Sequence, residues 1–510
     1  MAGFLHGVEV IEIDTGPRPV RTVRTGVIGI VGTAPNAAAA TSASLTTGRA
    51  SANNEIVWTA ASPGAAGNLI SVYLADPGAS SGVLGVTVTG NAVTVALATD
   101  AQGVITSTAT EVIAAVAAEP GASALLTGAA GIGSDGTGVV KSTGIARQLA
   151  GGAEEPFPLN RPVLVAGNRG AAARLDTTGT NSGTLPGAVD GIMDQIGAVV
   201  VVVRIAEGVD EDATLANAVG GVNAVTGDLE GVHALSGAES IVGFAPRILC
   251  APGWTHQRPS DLRNPVVAEM VGIAERMRAV IIADGPNTTD EAAISYREDW
   301  GSPRVYVVDP WVRVLAPDGS IATEPPSARV AGLIAKSDND RGFWWSPSNQ
   351  VVNGILGTSR PIDFTMGDRN ARANLLNEQE VTTIIRQDGY RLWGNRTTAA
   401  DPKWAFLSVR RTADVLAESL QRSHLWAVDR NITRTYVEDV TESVDAFLRS
   451  LVAEGAILGG RVWPDPDLNT PANIADGKVF FNFDFTPPFP AEHITFRSRL
   501  TNDFVEEVFA

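Results

Sequence analysis

Apolar and polar positions change rhythm along this chain, and each change marks a different kind of element. Residues 8–13 and 22–31 alternate with a period of two, which predicts strands. In the first of them Val8 and Val10 face one way while Ile11 and Ile13 face the other. Both faces are therefore largely apolar, and such a strand needs partners on both sides. The break Gly16-Pro17-Arg18-Pro19 tethers it loosely, so it can reach away from its own domain.

Residues 36–152 are rich in Ala, Gly, Ser and Thr with scattered charge, and read as an inserted β-rich domain. Short strands are predicted at 55–60, 69–74, 84–88 and 91–96, the last two joined as a hairpin at Gly90-Asn91. A helix over 110–119 is expected to stop at Pro120-Gly121. Beyond Gly152 the rhythm becomes strand and helix in alternation. Continuous apolar strands are predicted at 162–166, 198–205, 247–251, 279–283 and 304–308. Val267, Met270, Val271, Ala274 and Met277 recur at helical spacing within 265–278. Apolar strands alternating with helices predict a sheet covered on both faces.

In the last third, residues 410–428 and 441–455 read as amphipathic helices and 478–485 as an alternating strand. The run Thr486-Pro487-Pro488-Phe489-Pro490 then forms a second tether. The terminal stretch 494–509, carrying Ile494, Phe496, Phe504, Val505 and Val508, repeats the theme of the N-terminus as a strand-like arm. The division predicted is 1–35 for the N-terminal arm and first core strands, 36–152 for the insertion, 153–360 for an α/β domain, 361–490 for a C-terminal α+β domain and 491–510 for a C-terminal arm.

Composition narrows the function classes. A chain of 510 residues with 44% hydrophobic content is expected to fold into several globular domains. Its apolar runs fall far short of the roughly 18 residues that a membrane span needs, and the first residues lack the pattern of a signal peptide. Assembly in the cytoplasm is the expectation. With 38 basic against 56 acidic residues the formal charge is −18, which opposes general binding to nucleic acid or anionic lipid. The single cysteine, Cys250, lies in an apolar run and reads as a buried inert thiol.

Candidate chemistry is thin. The GxGxxG pattern at Gly131 to Gly136 lacks a convincing preceding strand and a following helix, and reads as a loop, not a dinucleotide site. GxSxG at Gly78 to Gly82 reads as a turn. Asp465, Asp467, Asn469 and Asp476 have the oxygen spacing that begins a calcium loop, but Thr470 stands where glycine is required. The five histidines show no metal spacing, so no cofactor or metal is expected. Asp284 and Asp309 end strands of the α/β sheet, where catalytic groups often sit, yet each adjoins Gly or Pro and reads first as a turn residue with no nameable basic or nucleophilic partner.

Three blocks carry a longer signal. They are FLHGVEVIEIDTGPRPV with GVIGIVGTAP near the start, PPSARVAGLIAKSDNDRGFWWSPSNQVVNGILG with LNEQEVTTIIRQDGYRLWGNRT over 325–397, and FNFDFTPPFPAEHITFRSRLT over 481–501. In these blocks and their order the chain resembles the tail-sheath family of contractile phages, R-type pyocins and related injection systems. The likeness covers 1–35 and 160–510, and the segment 36–152 departs from it.

The resemblance implies a structural subunit that polymerises helically around a tail tube and contracts to drive the tube through a target cell envelope. It implies a mixed α/β sheath core, a C-terminal α+β domain near the tube and inserted domains carried outward. It also implies terminal arms that add strands to neighbouring subunits, here through Val8, Val10, Ile11, Ile13, Ile494, Phe496, Phe504, Val505 and Val508. The implied partners are further copies of the chain, the tube protein, and baseplate and tail terminator proteins, with the assembled particle a virion tail built in the host bacterial cytoplasm. An excess of arginine between 386 and 461 places a candidate tube contact at Arg422, Arg430 and Arg434, against the alternative that these residues pair with local acids such as Asp414, Glu418 and Asp429. Two other readings stay open: a doubly wound α/β enzyme using Asp284 or Asp309, and a non-contractile tail-tube or baseplate protein.

Overall fold

Five of the apolar runs pair into one sheet with the strand that precedes the insertion. The computed structural model describes residues 19–502. Its six-stranded sheet contains β1 (Ile28–Thr33), β2 (Val163–Ala166), β3 (Val199–Ile205), β4 (Ile248–Cys250), β5 (Val280–Asp284) and β6 (Val305–Val308), in the order β6-β5-β4-β1-β3-β2. All pairs are parallel except the edge strand β2, which runs antiparallel to β3. Parallel pairing explains the unbroken apolar runs of the central strands, because crossover helices cover both faces; only at the antiparallel edge is a position, Ala166 of β2, exposed.

On one face α1 (Leu185–Met193) and α3 (Ser327–Arg341) pack together over the central strands; on the other, α2 (Pro265–Met277) and the short turn Gly231–Gly237 close the core. The α1 and α3 backbones come so close that a Cβ on Gly332 would lie 2.9 Å from the Ile192 carbonyl oxygen. No larger residue fits there without parting the helices. Two further helices, α4 (Leu407–Ser423) and α5 (Arg434–Glu454), precede a two-stranded antiparallel sheet of β7 (Gly459–Pro464) and β8 (Phe481–Thr486).

The chain divides into two compact units, one of residues 37–158 and one holding the remainder. In the smaller unit, Gly85–Thr89, Ala92–Ala96, Ser71–Ala75 and Arg147–Gln148 make a four-stranded sheet, and Ser44–Thr47, Ile56–Ala60 and Leu126–Ala130 a three-stranded one. Trp58 is fully buried in its core and donates its indole N–H to Thr47 Oγ1 at 3.0 Å. The unit's two ends are held together by reciprocal backbone bonds between Thr41 and Ala153, of 2.9 and 3.1 Å. A module closed at its own base can be carried by a single loop.

Several predicted boundaries move. The stretch 22–31 is a strand only from Ile28, because the amides of Arg21 and Val23 donate to the hydroxyls of Ser423 and Ser419 on α4 instead of to a ladder. Pro120 does not simply end a helix. It occupies the first position of a new short turn, Pro120–Ser123, where its missing N–H costs nothing. The predicted helix over 441–455 begins at Arg434, where Thr433 Oγ1 accepts the Tyr436 amide. The polar residues of those first turns dilute the apolar pattern. The strand expected over 478–485 starts at Phe481. A strand, Leu126–Ala130, does precede the GxGxxG loop, contrary to the reading above, but no helix follows it.

Candidate functional site: the fourth helix and the open strand pair

Helix α4 carries Arg411, Asp414, Glu418 and Arg422 at steps of three, four and four, which places them along one face. Each meets an opposite charge on the α/β body. Arg411 makes a bidentate pair with Asp338 of α3, at 2.6 and 2.5 Å, and also reaches the Thr25 carbonyl. Asp414 accepts from Arg304, which precedes β6, at 2.8 and 3.1 Å, and from Arg410 at 2.8 Å. Glu418 pairs with Arg247, which precedes β4, and with Arg422 at 2.7 Å. Arg422 pairs in turn with Glu239 at 2.6 Å.

This ladder is buried at its centre and opens to water at its end. Arg304 and Asp414 side chains are 5% and 4% exposed, against 45% and 50% for Arg422 and Glu239. Charges taken out of water gain little net stability from pairing, but any other register would leave them unpaired at high cost. The ladder therefore sets where α4 sits on the body. The segment before β1 is fixed along the same helix, with Val20 and Val23 packed on a cluster of Val415, Leu416, Val444, Phe447, Leu448 and Leu451.

The strand pair is different. Helix α5 ends at Gly455 in the left-handed conformation, φ 79°, and the chain turns directly into β7. Phe485 and Val462 pack inward on the helical cluster, while Phe483 remains 36% exposed. Among the described residues neither outer edge of the β7-β8 pair has a strand partner. Two strands alone are marginal, and open edges offer unpaired N–H and C=O groups to another chain. Beyond β8, residues 493–502 have no regular structure and carry exposed Ile494, Phe496 and Leu500.

The arginines proposed from sequence fare unequally. Arg422 belongs to the ladder, so it is occupied by Glu239 and Glu418. Arg434 makes an exposed pair with Glu438 at 2.7 Å. Arg430 lies 5.2 Å over the Trp426 ring with no carboxylate partner among the described residues, next to exposed Leu425 and Val428. Val8, Val10, Ile11 and Ile13, and also Phe504, Val505 and Val508, lie outside the described residues.

Asp284 and Asp309 have partners the sequence did not reveal. Asp284, at the end of β5, accepts the amide and hydroxyl of Ser327 at 2.8 Å each and the Thr255 hydroxyl at 3.1 Å. It thereby caps α3, whose own preceding residue is Pro326 and offers no side-chain cap. Burial pushes its carboxyl up to about 7. Asp309 pairs with Arg360 and accepts the Asn287 amide at 2.8 Å; burial raises its carboxyl to about 6 even though Arg360 opposes the shift. A cleft of about 630 Å³ is lined by residues such as Arg21, Arg24, Phe244, Glu418 and Arg422, and includes neither aspartate.

Other sequence candidates resolve similarly. Asp465 accepts the amides of Asp467 and Leu468 and the Asn482 side chain, so its oxygens serve the loop itself. No cluster of three or more His, Cys, Asp or Glu able to hold a metal occurs among the described residues, and no helix there is long and apolar enough to cross a membrane. Cys250 is fully buried, which pushes its thiol pKa well up.

Comparison with known proteins follows this geometry. The phage tail sheath protein central domain matches residues 227–398, and the phage tail sheath C-terminal domain matches 399–501. The second stretch contains α4, α5 and the strand pair; the inserted unit lies outside both. A prophage major tail sheath protein of Pseudomonas aeruginosa (strain UCBPP-PA14) is 44% identical over 358 residues, 70% of this chain and 90% of that protein. The tail sheath protein of Escherichia phage P2 is 35% identical over 69% of this chain and 88% of its own length. Among solved structures, the helical sheath of the anti-feeding prophage in its contracted state shares the fold with a TM-score of 0.52 and 22% identity, over 67% of this chain and 89% of that one. The sheath complex of an extracellular contractile injection system, also contracted, gives a TM-score of 0.52 at 18% identity, over 69% and 89%.

Fold and sequence together define a structural protein of contractile tails. The chain belongs to the phage tail sheath family and is a sheath subunit.

Proposed function

We propose that the chain polymerises helically with copies of itself around a tail tube, and that this sheath shortens to drive the tube through a target cell envelope. It acts by assembly and not by catalysis. The observation that carries the reading is the β7-β8 pair, whose outer edges have no strand partner among the described residues, followed by a segment without regular structure that bears exposed apolar side chains. In the polymer, arms bearing Val8, Val10, Ile11 and Ile13, or Ile494, Phe496, Phe504, Val505 and Val508, add strands to such pairs in neighbouring subunits. At about 0.5 to 1.5 kcal/mol net per hydrogen bond, a six-residue strand contributes several kcal/mol per link.

Head-to-tail links of this kind generate an open helix, and the extended form is kinetically trapped so that contraction needs no nucleotide. Arg430 and Arg434 present positive charge toward the tube, whereas Arg422, paired with Glu239 and Glu418, serves the ladder. The unit of residues 37–158 faces outward, and the ends of the polymer meet baseplate and terminator proteins. Assembly takes place in the host cytoplasm and the product is part of the virion tail.

The test is removal of each arm. Chains lacking residues 1–15 or 493–510 are expected to stay folded by circular dichroism and to form no cylinders under negative-stain microscopy. Normal cylinders from both deletions would sink the strand-exchange reading.

A further inference from the structure

The chain leaves β8 through Pro487, Pro488, Phe489 and Pro490, and this stretch is fixed at its far end. Glu492 makes a bidentate pair with Arg396, Nε to Oε1 at 3.0 Å and Nη2 to Oε2 at 2.7 Å. Phe489 lies edge-on to Phe406, ring centroids 6.3 Å apart, and the same Phe406 ring carries the Arg396 guanidinium on its face at 4.9 Å. A backbone bridge between Arg396 and Phe406 holds those two side by side. So one guanidinium and one ring form a small platform, and Glu492 and Phe489 sit on it.

The prolines matter to this arrangement. They favour an extended, semi-rigid path and remove backbone donors, so the stretch between β8 and Glu492 acts as a strut and not a loose linker. After Glu492 the described residues up to Asn502 have no regular structure. At roughly 3.3 Å per residue, the ten residues 493–502 extend up to about 33 Å. The direction in which such a segment starts decides which neighbour it meets.

We propose that Arg396 and Phe406 are positioning residues for the C-terminal arm: by clamping Glu492 and Phe489 they fix where the arm departs and so select the neighbouring subunit that receives it. This rests on the strand-exchange reading and adds to it the root of the arm. A tether released from its platform samples many directions, and the effective concentration of the arm at its target edge falls.

The experiment uses the full chain and four variants: Arg396→Glu, Glu492→Arg, the two combined, and a deletion of residues 493–510. Cylinder yield and length are read by electron microscopy and turbidity, alongside the thermal midpoint of unassembled protein. Each single charge reversal is expected to lower cylinder yield by roughly tenfold with no change in midpoint, and the combined swap to restore it. If the arm deletion assembles normally, strand exchange by this arm is wrong and the proposal falls with it. If the deletion abolishes assembly while both single reversals assemble like the natural chain, the platform alone is refuted. Failure of the combined swap to rescue also refutes it, since the two charges would then be meeting other partners. A midpoint lowered in step with the loss of cylinders would assign the pair to folding instead.

Discussion

The two ends of the C-terminal region treat polar groups in opposite ways. Along α4 every charge that faces the body is matched, down to Asp414 sharing its carboxylate between Arg304 and Arg410. At β7-β8, a few turns of chain later, the outer edges have no strand partner among the described residues. The first arrangement admits one register, because a slip would bury unpaired charge. The second invites completion from outside. The strand-exchange proposal uses both: a body whose parts keep their relation, and a margin that a neighbour can complete.

The largest effect should come from the middle of the ladder. Asp414→Leu leaves Arg304 buried without its main partner, with a loss of about 3–5 kcal/mol in denaturant unfolding of the protein lacking residues 493–510. Adding Arg304→Met should recover most of it. If the single change costs little, the ladder does not fix α4 to the body and the contrast with the strand pair collapses.

Next in size is a pH dependence. Burial raises Asp284 from its ordinary 3.8 to about 7. Between those values the folded chain holds a proton that the unfolded chain has released. Stability from this site is therefore fully present below about 4, falls as pH rises, and levels off above about 7, a total on the order of 4 kcal/mol. Asp284→Asn keeps an acceptor for the Ser327 amide and is expected to flatten that slope in urea midpoints measured from pH 5 to 8. An unchanged slope would remove Asp284 from the account of how α3 is held.

The outer rung of the ladder should matter far less than the inner one. Glu239→Ala breaks a pair that is about half exposed, and a change within about 1 kcal/mol is expected in the same unfolding assay. Smallest in stability, yet informative for function, is Arg430→Glu with Arg434→Glu. Neither residue supports the core, so the thermal midpoint should not move, while growth of sheath on purified tubes falls and tube-free polymerisation continues. Leaving Arg422 untouched keeps the ladder out of this test. Unchanged tube-templated growth at moderate salt would place the tube contact elsewhere.

Much of the fold is legible in the chain. The apolar runs that became β3 to β6 are visible because parallel strands buried on both faces need no polar alternation, and α2 shows its Val267, Met270 and Ala274 face directly. The ladder was half visible: Arg411, Asp414, Glu418 and Arg422 stand at helical spacing, but their partners Asp338, Arg304, Arg247 and Glu239 lie between 73 and 183 residues away. Those acids and bases carry no local mark. The Arg396 platform was missed for the same reason, since Glu492 is 96 positions distant.

The sequence by itself determined the elements, the tethers and the family, because hydrophobic period, proline breaks and long blocks of matching residues are local properties of the chain. Only the tertiary structure decided what the charged residues do. Whether an arginine is a rivet, a platform or a free surface charge depends on which acid the fold brings within about 3 Å and on how much water is left around the pair. Arg422 and Arg430 are eight positions apart and look alike in the chain; one is held by Glu239 and Glu418, and the other lies over the Trp426 ring with no carboxylate partner among the described residues.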